Sequence, residues 1–152
     1  MKQTVSTEIE LERPAVVALF EDRMRHADSQ APFLRQEPQV GIAGESGARS
    51  ELKYTRGTKE AGVIETVIEN SLPDLFRAQH VYPWGSADVT HRFQALSNGR
   101  TRWVMDVDFR SKGFIGLLMR FMPGMPRGFF QQLMFGFKTY AENHTRGDPG
   151  PE

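Results

Sequence analysis

The run Phe129-Phe130-Gln131-Gln132-Leu133-Met134-Phe135-Gly136-Phe137-Lys138-Thr139-Tyr140-Ala141-Glu142-Asn143-His144 is where the architecture of this chain becomes readable. At about 100° per residue, Phe129, Phe130, Leu133, Met134, Phe137, Tyr140 and Ala141 share one face of a helix. Gln131, Gln132, Lys138, Thr139, Glu142 and Asn143 occupy the other. Phe135 departs from this sorting, and Gly136 costs about 1 kcal/mol of helix propensity relative to alanine. A stripe this broad and aromatic needs a wide apolar partner. The chain before Ser111 supplies one, because it reads as strands that form a curved sheet.

Val5, Thr7, Ile9 and Leu11 alternate with Ser6, Glu8 and Glu10, the period of two expected of a half-buried strand. Pro14 suits a first helical turn, and residues 15–26 place Val16, Val17, Phe20 and Met24 on one helical side. The polar stretch that follows, with Ser29, Pro32 and Pro38, reads as a short helix or turn. Val40 and Ile42 then open a second strand, and Gly44-Glu45-Ser46-Gly47 turns it, so that Ser50, Leu52 and Tyr54 return on one face. Residues 58–62 form the next turn, before a strand over 63–71. Pro73-Asp74 and Pro83-Trp84-Gly85 separate the strands 75–82 and 87–96.

The hairpin after Ala87 fixes its own register. A two-residue loop at Asn98-Gly99 would put the apolar sets Ala87, Val89, Phe93 and Trp103, Met105, Val107, Phe109 on opposite faces. A three-residue loop, Ser97-Asn98-Gly99, with Gly99 left-handed in a G1 bulge, brings them together. It pairs Phe93 with Trp103, His91 with Met105, Val89 with Val107 and Ala87 with Phe109. A slip of one residue would turn every side chain over.

After Ser111 the segment 114–122 is apolar almost all round, interrupted by Gly116 and Arg120, and Pro123-Gly124-Met125-Pro126 breaks it before the long helix. Residues 145–152 read as a disordered tail behind a single domain of residues 1–144. Lysine plus arginine and aspartate plus glutamate both number 19, so no global field steers the chain to nucleic acid. Cysteine is absent, which excludes disulfides, thiolate chemistry and Cys-ligated zinc. Neither a signal-peptide core nor a run of about 20 apolar residues is present, so a cytoplasmic protein without stable membrane insertion is expected, as monomer or homodimer.

The order strand, helix, six antiparallel strands and a long C-terminal helix resembles the SRPBCC superfamily of START-related proteins, plant pathogenesis-related allergens and polyketide cyclase/dehydrase-like proteins. The resemblance rests on residues 5–11 followed by Arg13-Pro14-Ala15-Val16-Val17-Ala18-Leu19-Phe20, on the strands around Leu72-Pro73-Asp74, and on the apolar segment 114–122. It implies an α+β helix-grip fold. A curved antiparallel sheet of about seven strands would wrap around the C-terminal helix, with short helices after the first strand and before the long helix. It also implies a cavity between sheet and helix, where relatives hold lipids, sterols, polyketides or other apolar molecules.

Within that frame the expected function is binding of a hydrophobic, lipid-, polyketide- or isoprenoid-like small molecule. The expected cavity lies between Trp103, Met105, Val107 and the helix face of Phe130, Leu133 and Phe137, with Phe93 in its wall. His91, inward between Val89 and Phe93, is the candidate acid/base of a cyclase- or dehydratase-like enzyme, or else a core imidazole with a satisfied hydrogen bond. His80 and Tyr82 point inward if Phe76 and Ala78 mark the buried face, and with Tyr54 they give the lining its polar groups. The opposite orientation would expose both. No cofactor is called for. The histidines at 26, 80, 91 and 144 lack metal-ligand spacing, so no metal is expected. Asp106 and Asp108 share a strand face, either as an acid/base pair or as a solvated face beside Arg92. The Met- and Phe-rich segment 114–134 reads as core and cavity wall, or as a patch through which an accessory factor would contact a protein or a membrane.

Overall fold

The computed structural model describes residues 1–22, 33–122 and 124–147. In chain order these form β1 (Lys2–Ile9), α1 (Arg13–Asp22), β2 (Phe33–Val40), β3 (Arg49–Arg56), β4 (Lys59–Ser71) and β5 (Leu75–Tyr82). β6 (Gly85–Ala95), β7 (Thr101–Ser111), α2 (Gly113–Phe121) and α3 (Gly124–Gly147) follow. The strands make one antiparallel curved sheet in the order β1-β7-β6-β5-β4-β3-β2. This is the helix-grip α+β fold, with α3 laid across the inner face closest to β1.

The β6–β7 register is the one that alternation predicts: Phe93 opposes Trp103, His91 Met105, Val89 Val107 and Ala87 Phe109. Leu96 N donates to Arg100 O at 2.9 Å, and Gly99, at φ 75°, donates back to Leu96 O at 3.3 Å. That is a three-residue loop closed by a left-handed glycine.

α1 buries Val16, Val17 and Phe20, and Phe20 is the hub of the interior. Its ring centroid lies 5.4 Å from Phe76, 5.0 Å from His91, 5.1 Å from Phe93, 6.1 Å from Trp103 and 6.2 Å from Phe137. α3 closes the other side with Phe130, Met134, Phe137 and Ala141, spaced four, three and four residues apart. Thr101 Oγ1 donates to Leu11 O at 2.7 Å, tying the start of β7 to the chain entering α1.

Several boundaries differ from the sequence reading. Val40 ends β2 instead of opening a strand, and Ile42 sits exposed in the following turn. β2 is the terminal strand of the described sheet, where Pro38 can sit despite lacking an N–H. The turn expected at 58–62 is tighter: Arg56 pairs with Lys59 around Gly57-Thr58, and Gly62 lies within β4 opposite Lys53. α3 begins at Gly124, not Phe129, and runs beyond His144 to Gly147. Phe129 is 40% exposed, because the sheet covers a narrower arc of α3 than the whole apolar stripe. Residues 114–121, read as core and cavity wall or as a contact patch, lie in α2, which buries Met119; Phe114, Leu117, Phe121 and the following Met122 are exposed. Met24, His26, Ser29 and Pro32, expected on a longer first helix and in the turn after it, lie outside the described residues.

Candidate functional site

On most of the inner sheet face, successive rows of opposed side chains are apolar. One row reads Val67, Ala78, Val89 and Val107 from β4 to β7, all buried. The neighbouring row is different. Ser50 on β3, Glu65 on β4 and His80 on β5 stand directly opposite one another and point into the interior. Ser50 and Glu65 are each 2% exposed. Burying a carboxylate is costly unless it is paired. The pairing is local: His80 Nε2 lies 2.9 Å from Glu65 Oε2. With Glu65 ionised, its oxygen accepts only and His80 donates through Nε2–H.

Beyond this row, Leu52 and Val63 pack with Tyr54 and Tyr82. Tyr82 also stacks on Trp84, with centroids 4.7 Å apart. Burial pushes the Tyr82 hydroxyl far above the ordinary tyrosine value, and Tyr54 and Glu65 act in the same direction. Tyr82 is a neutral hydroxyl over the whole physiological range.

Glu65 opens onto a cavity of about 410 Å³. Phe20 and Glu21 of α1, Gln36 of β2, Ile42 to Glu45 of the β2–β3 turn, and Asn70, Leu72 and Phe76 around the β4–β5 turn form the rest of its lining. A bulge in β4 between Val67 and Glu69 creates part of this rim. Strict alternation from Val63, Glu65 and Val67 would send Glu69 inward, but the extra residue, Ile68, lets Asn70 oppose Phe76 instead. Asn70 then binds the β2–β3 turn: its Nδ2 donates to Gly44 O at 2.7 Å, and its backbone N–H donates to Ser46 Oγ at 3.0 Å. Arg13 Nη2 donates to Asp74 Oδ1 at 2.6 Å and holds α1 against the β4–β5 turn. The rim is thus a polar frame around aromatic and aliphatic walls.

The residues that sequence reading singled out divide between two places. Phe93, Trp103, Met105, Val107, Phe130 and Phe137 are buried in one contiguous core, with Leu133 partly buried against it. Trp103 meets Phe137 edge-on at 5.1 Å within that core. The cavity described above lies on the far side of Phe20 and Phe76. His91 is in the core as well. Trp103 Nε1 donates to His91 Nδ1 at 3.2 Å, which puts the imidazole proton on Nε2 when the ring is neutral. Phe20 and Phe76 stand between His91 and the cavity. Tyr54, His80 and Tyr82 fall on the polar side, His80 in direct contact with Glu65. Sequence reading passed over Glu65, although the signal is there: a carboxylate on the apolar parity of Val63 and Val67. Asp106 and Asp108 lie on the outer face, where Asp106 pairs with Arg92 and Asp108 with Arg110. Among the described residues no three His, Asp or Glu side chains are grouped so as to hold a metal ion.

No family model matches the chain, and no curated protein matches it in sequence. Solved structures do match in fold. The Zhui aromatase/cyclase from Streptomyces sp. R1128 superposes with a TM-score of 0.78 at 14% identity, covering 99% of each chain. Ara h 8.0201 gives a TM-score of 0.75 at 13% identity over 95% of this chain and 96% of that one. A START superfamily protein from Mycobacterium smegmatis gives 0.75 at 10% identity over 94% and 98%.

Proposed function

We propose that this helix-grip chain binds an apolar small molecule in the cavity beside α1, and that the Glu65–His80 pair reads a hydrogen-bond donor on that molecule. The observation carrying this reading is the paired, buried carboxylate at a cavity whose walls include Phe20, Ile42, Leu72 and Phe76, with Glu21, Gln36, Glu45 and Asn70 also in its lining. Apolar area supplies the affinity, at roughly 25 cal/mol per Å² buried. The carboxylate supplies orientation, since an acceptor-only group favours a hydroxyl or amine over a carbonyl or carboxylate. Lipid-, polyketide- and isoprenoid-like alcohols or phenols fit that description. Tyr54 and Tyr82, on the same side of the sheet as Glu65, suit the role of further polar groups for a longer ligand.

A second reading follows from the same pair. An imidazole paired with a carboxylate beside a partly apolar cavity has the parts of a general acid/base device, and one solved structure of this fold is an aromatase/cyclase. In that reading the pair, not His91, moves the proton, because Trp103 already occupies Nδ1 of His91.

The test is a thermal-shift screen of lipophilic alcohols, phenols, fatty acids and hydrocarbons, followed by mass analysis of the bound molecule after incubation. The binding reading expects micromolar hydroxyl-bearing ligands that compete with one another, raise the melting temperature by mass action and are recovered unchanged. The catalytic reading expects recovered product and its loss in Glu65→Gln. No shift across the whole panel would overturn both.

A further inference from the structure

The exposed face of α2 is not accounted for by ligand binding. At about 100° per residue, Phe114, Leu117, Leu118 and Phe121 fall within about 100° of arc on the side away from buried Met119. Phe114 and Phe121 are each 76% exposed, Leu117 54% and Met122 51%. Aromatic and aliphatic side chains this open, on and just after one short helix, amount to an apolar ridge with no partner among the described residues.

Charge decides what the ridge fits. From Arg110 to Lys138 the chain contains no aspartate or glutamate, although the whole protein carries as many acidic as basic residues. Arg110 is paired with Asp88 and Asp108, and Lys138 with Glu142. Lys112, Arg120 and Arg127 are exposed, and no carboxylate pairs with them among the described residues. Arg120 lies at the edge of the ridge beside Leu117, Lys112 precedes the first turn, and Arg127 is in the first turns of α3. A helix that presents phenylalanine and leucine outward with cations at its borders matches the boundary of a bilayer, where apolar side chains enter the acyl region and cations meet anionic headgroups. A convex ridge suits a fluid surface better than a preformed groove. None of the described helices is long and apolar enough to cross a membrane.

We infer that α2, with the flanking Lys112, Arg120 and Arg127, is a peripheral docking surface for anionic lipid bilayers. It lies past the Gly85–Ser111 end of the β6–β7 pair, whereas the cavity lies towards the Phe76 end. Docking and ligand binding are therefore separable.

The experiment is co-sedimentation of the full chain with vesicles of phosphatidylcholine alone and with about 30 mol% phosphatidylserine, which gives the negative surface potential the cations require. Wild type is expected to pellet with the anionic vesicles and far less with the neutral ones, and to be released as salt rises. Leu117→Glu/Phe121→Glu and Arg120→Glu/Arg127→Glu should each weaken partitioning more than about tenfold. Both pairs are on the surface, so circular dichroism and the ligand thermal shift should be unchanged. That readout separates failure of docking from failure of the cavity reading. Equal binding to both vesicle types, or wild-type-like binding of Leu117→Glu/Phe121→Glu, would overturn the proposal. So would a wild type that ignores vesicles but dimerises through α2, becoming monomeric in that variant.

Discussion

The two halves of the inner sheet face use the same alternation for opposite purposes. On the β6–β7 side, every inward position from Ala87 to Phe93 and from Trp103 to Phe109 is buried, and Phe20 and α3 fill the space above them with rings. On the β3–β4–β5 side, the same parity delivers Ser50, Glu65 and His80, and Glu65 borders the cavity. Alternation sets which way a side chain points, while the facing element decides whether it meets protein or a void. A buried ion-forming pair is weak support for stability, since an apolar pair of similar volume would serve as well or better. Its placement at a cavity is what gives it functional meaning. In the proposed reading, one half supplies stability and the other recognition.

The largest effect that would break this division is in the packed half. Phe137→Ala removes a fully buried ring touching Phe20 and Trp103 and should cost about 3–5 kcal/mol in urea unfolding. A loss under about 1 kcal/mol would mean that the region relaxes like a cavity, and the contrast would collapse. Gly99→Val, at positive φ, should cost about 1–2 kcal/mol, and Gly99→Asn considerably less. If valine were tolerated, the bulged loop and the register built on it would be wrong.

Smaller effects belong to the polar half. Glu65→Gln keeps the shape of the side chain and should change stability by less than about 1.5 kcal/mol, while weakening hydroxyl-bearing ligands by about 1–3 kcal/mol. A stability loss matching that of Phe137→Ala would return Glu65 to an ordinary core role. The smallest effect at neutral pH is that of Tyr82. Its folded pKa is raised, so above about pH 10 the unfolded chain releases a proton that the folded chain keeps, and stability falls as pH rises. Tyr82→Phe should flatten that alkaline slope and leave melting at pH 7 nearly unchanged. An unaltered slope would mean that Tyr82 is not the group responsible.

Much of the packed half was legible because local chemistry and tertiary packing agree there. Asn98-Gly99, the alternation on both sides of it and Pro14 each point one way. The polar half was harder to read for identifiable reasons. Pro38 reads as a loop residue unless one knows that β2 sits at the end of the sheet, and the bulge at Ile68 shifts the parity that brings Asn70 to the rim. Glu65 carries a visible signal, a charge on an apolar parity, but its partner His80 lies fifteen residues away and meets it only through sheet register. For α2, an almost wholly apolar sequence cannot show which side the sheet will cover. For α3, helical periodicity gave the face but not its width, which left Phe129 outside.

The central claim is that Glu65 recognises a donor on an apolar ligand, and a thermodynamic cycle tests it most directly. Binding of 2-naphthol and naphthalene would be measured by displacement of an environment-sensitive dye from wild type and from Glu65→Gln. The account predicts that wild type prefers the naphthol by about 10- to 150-fold, a hydrogen bond to a charged group being worth about 1.5–3 kcal/mol, and that this preference largely disappears in Glu65→Gln while naphthalene binds both alike. Equal preference in the two proteins would contradict it.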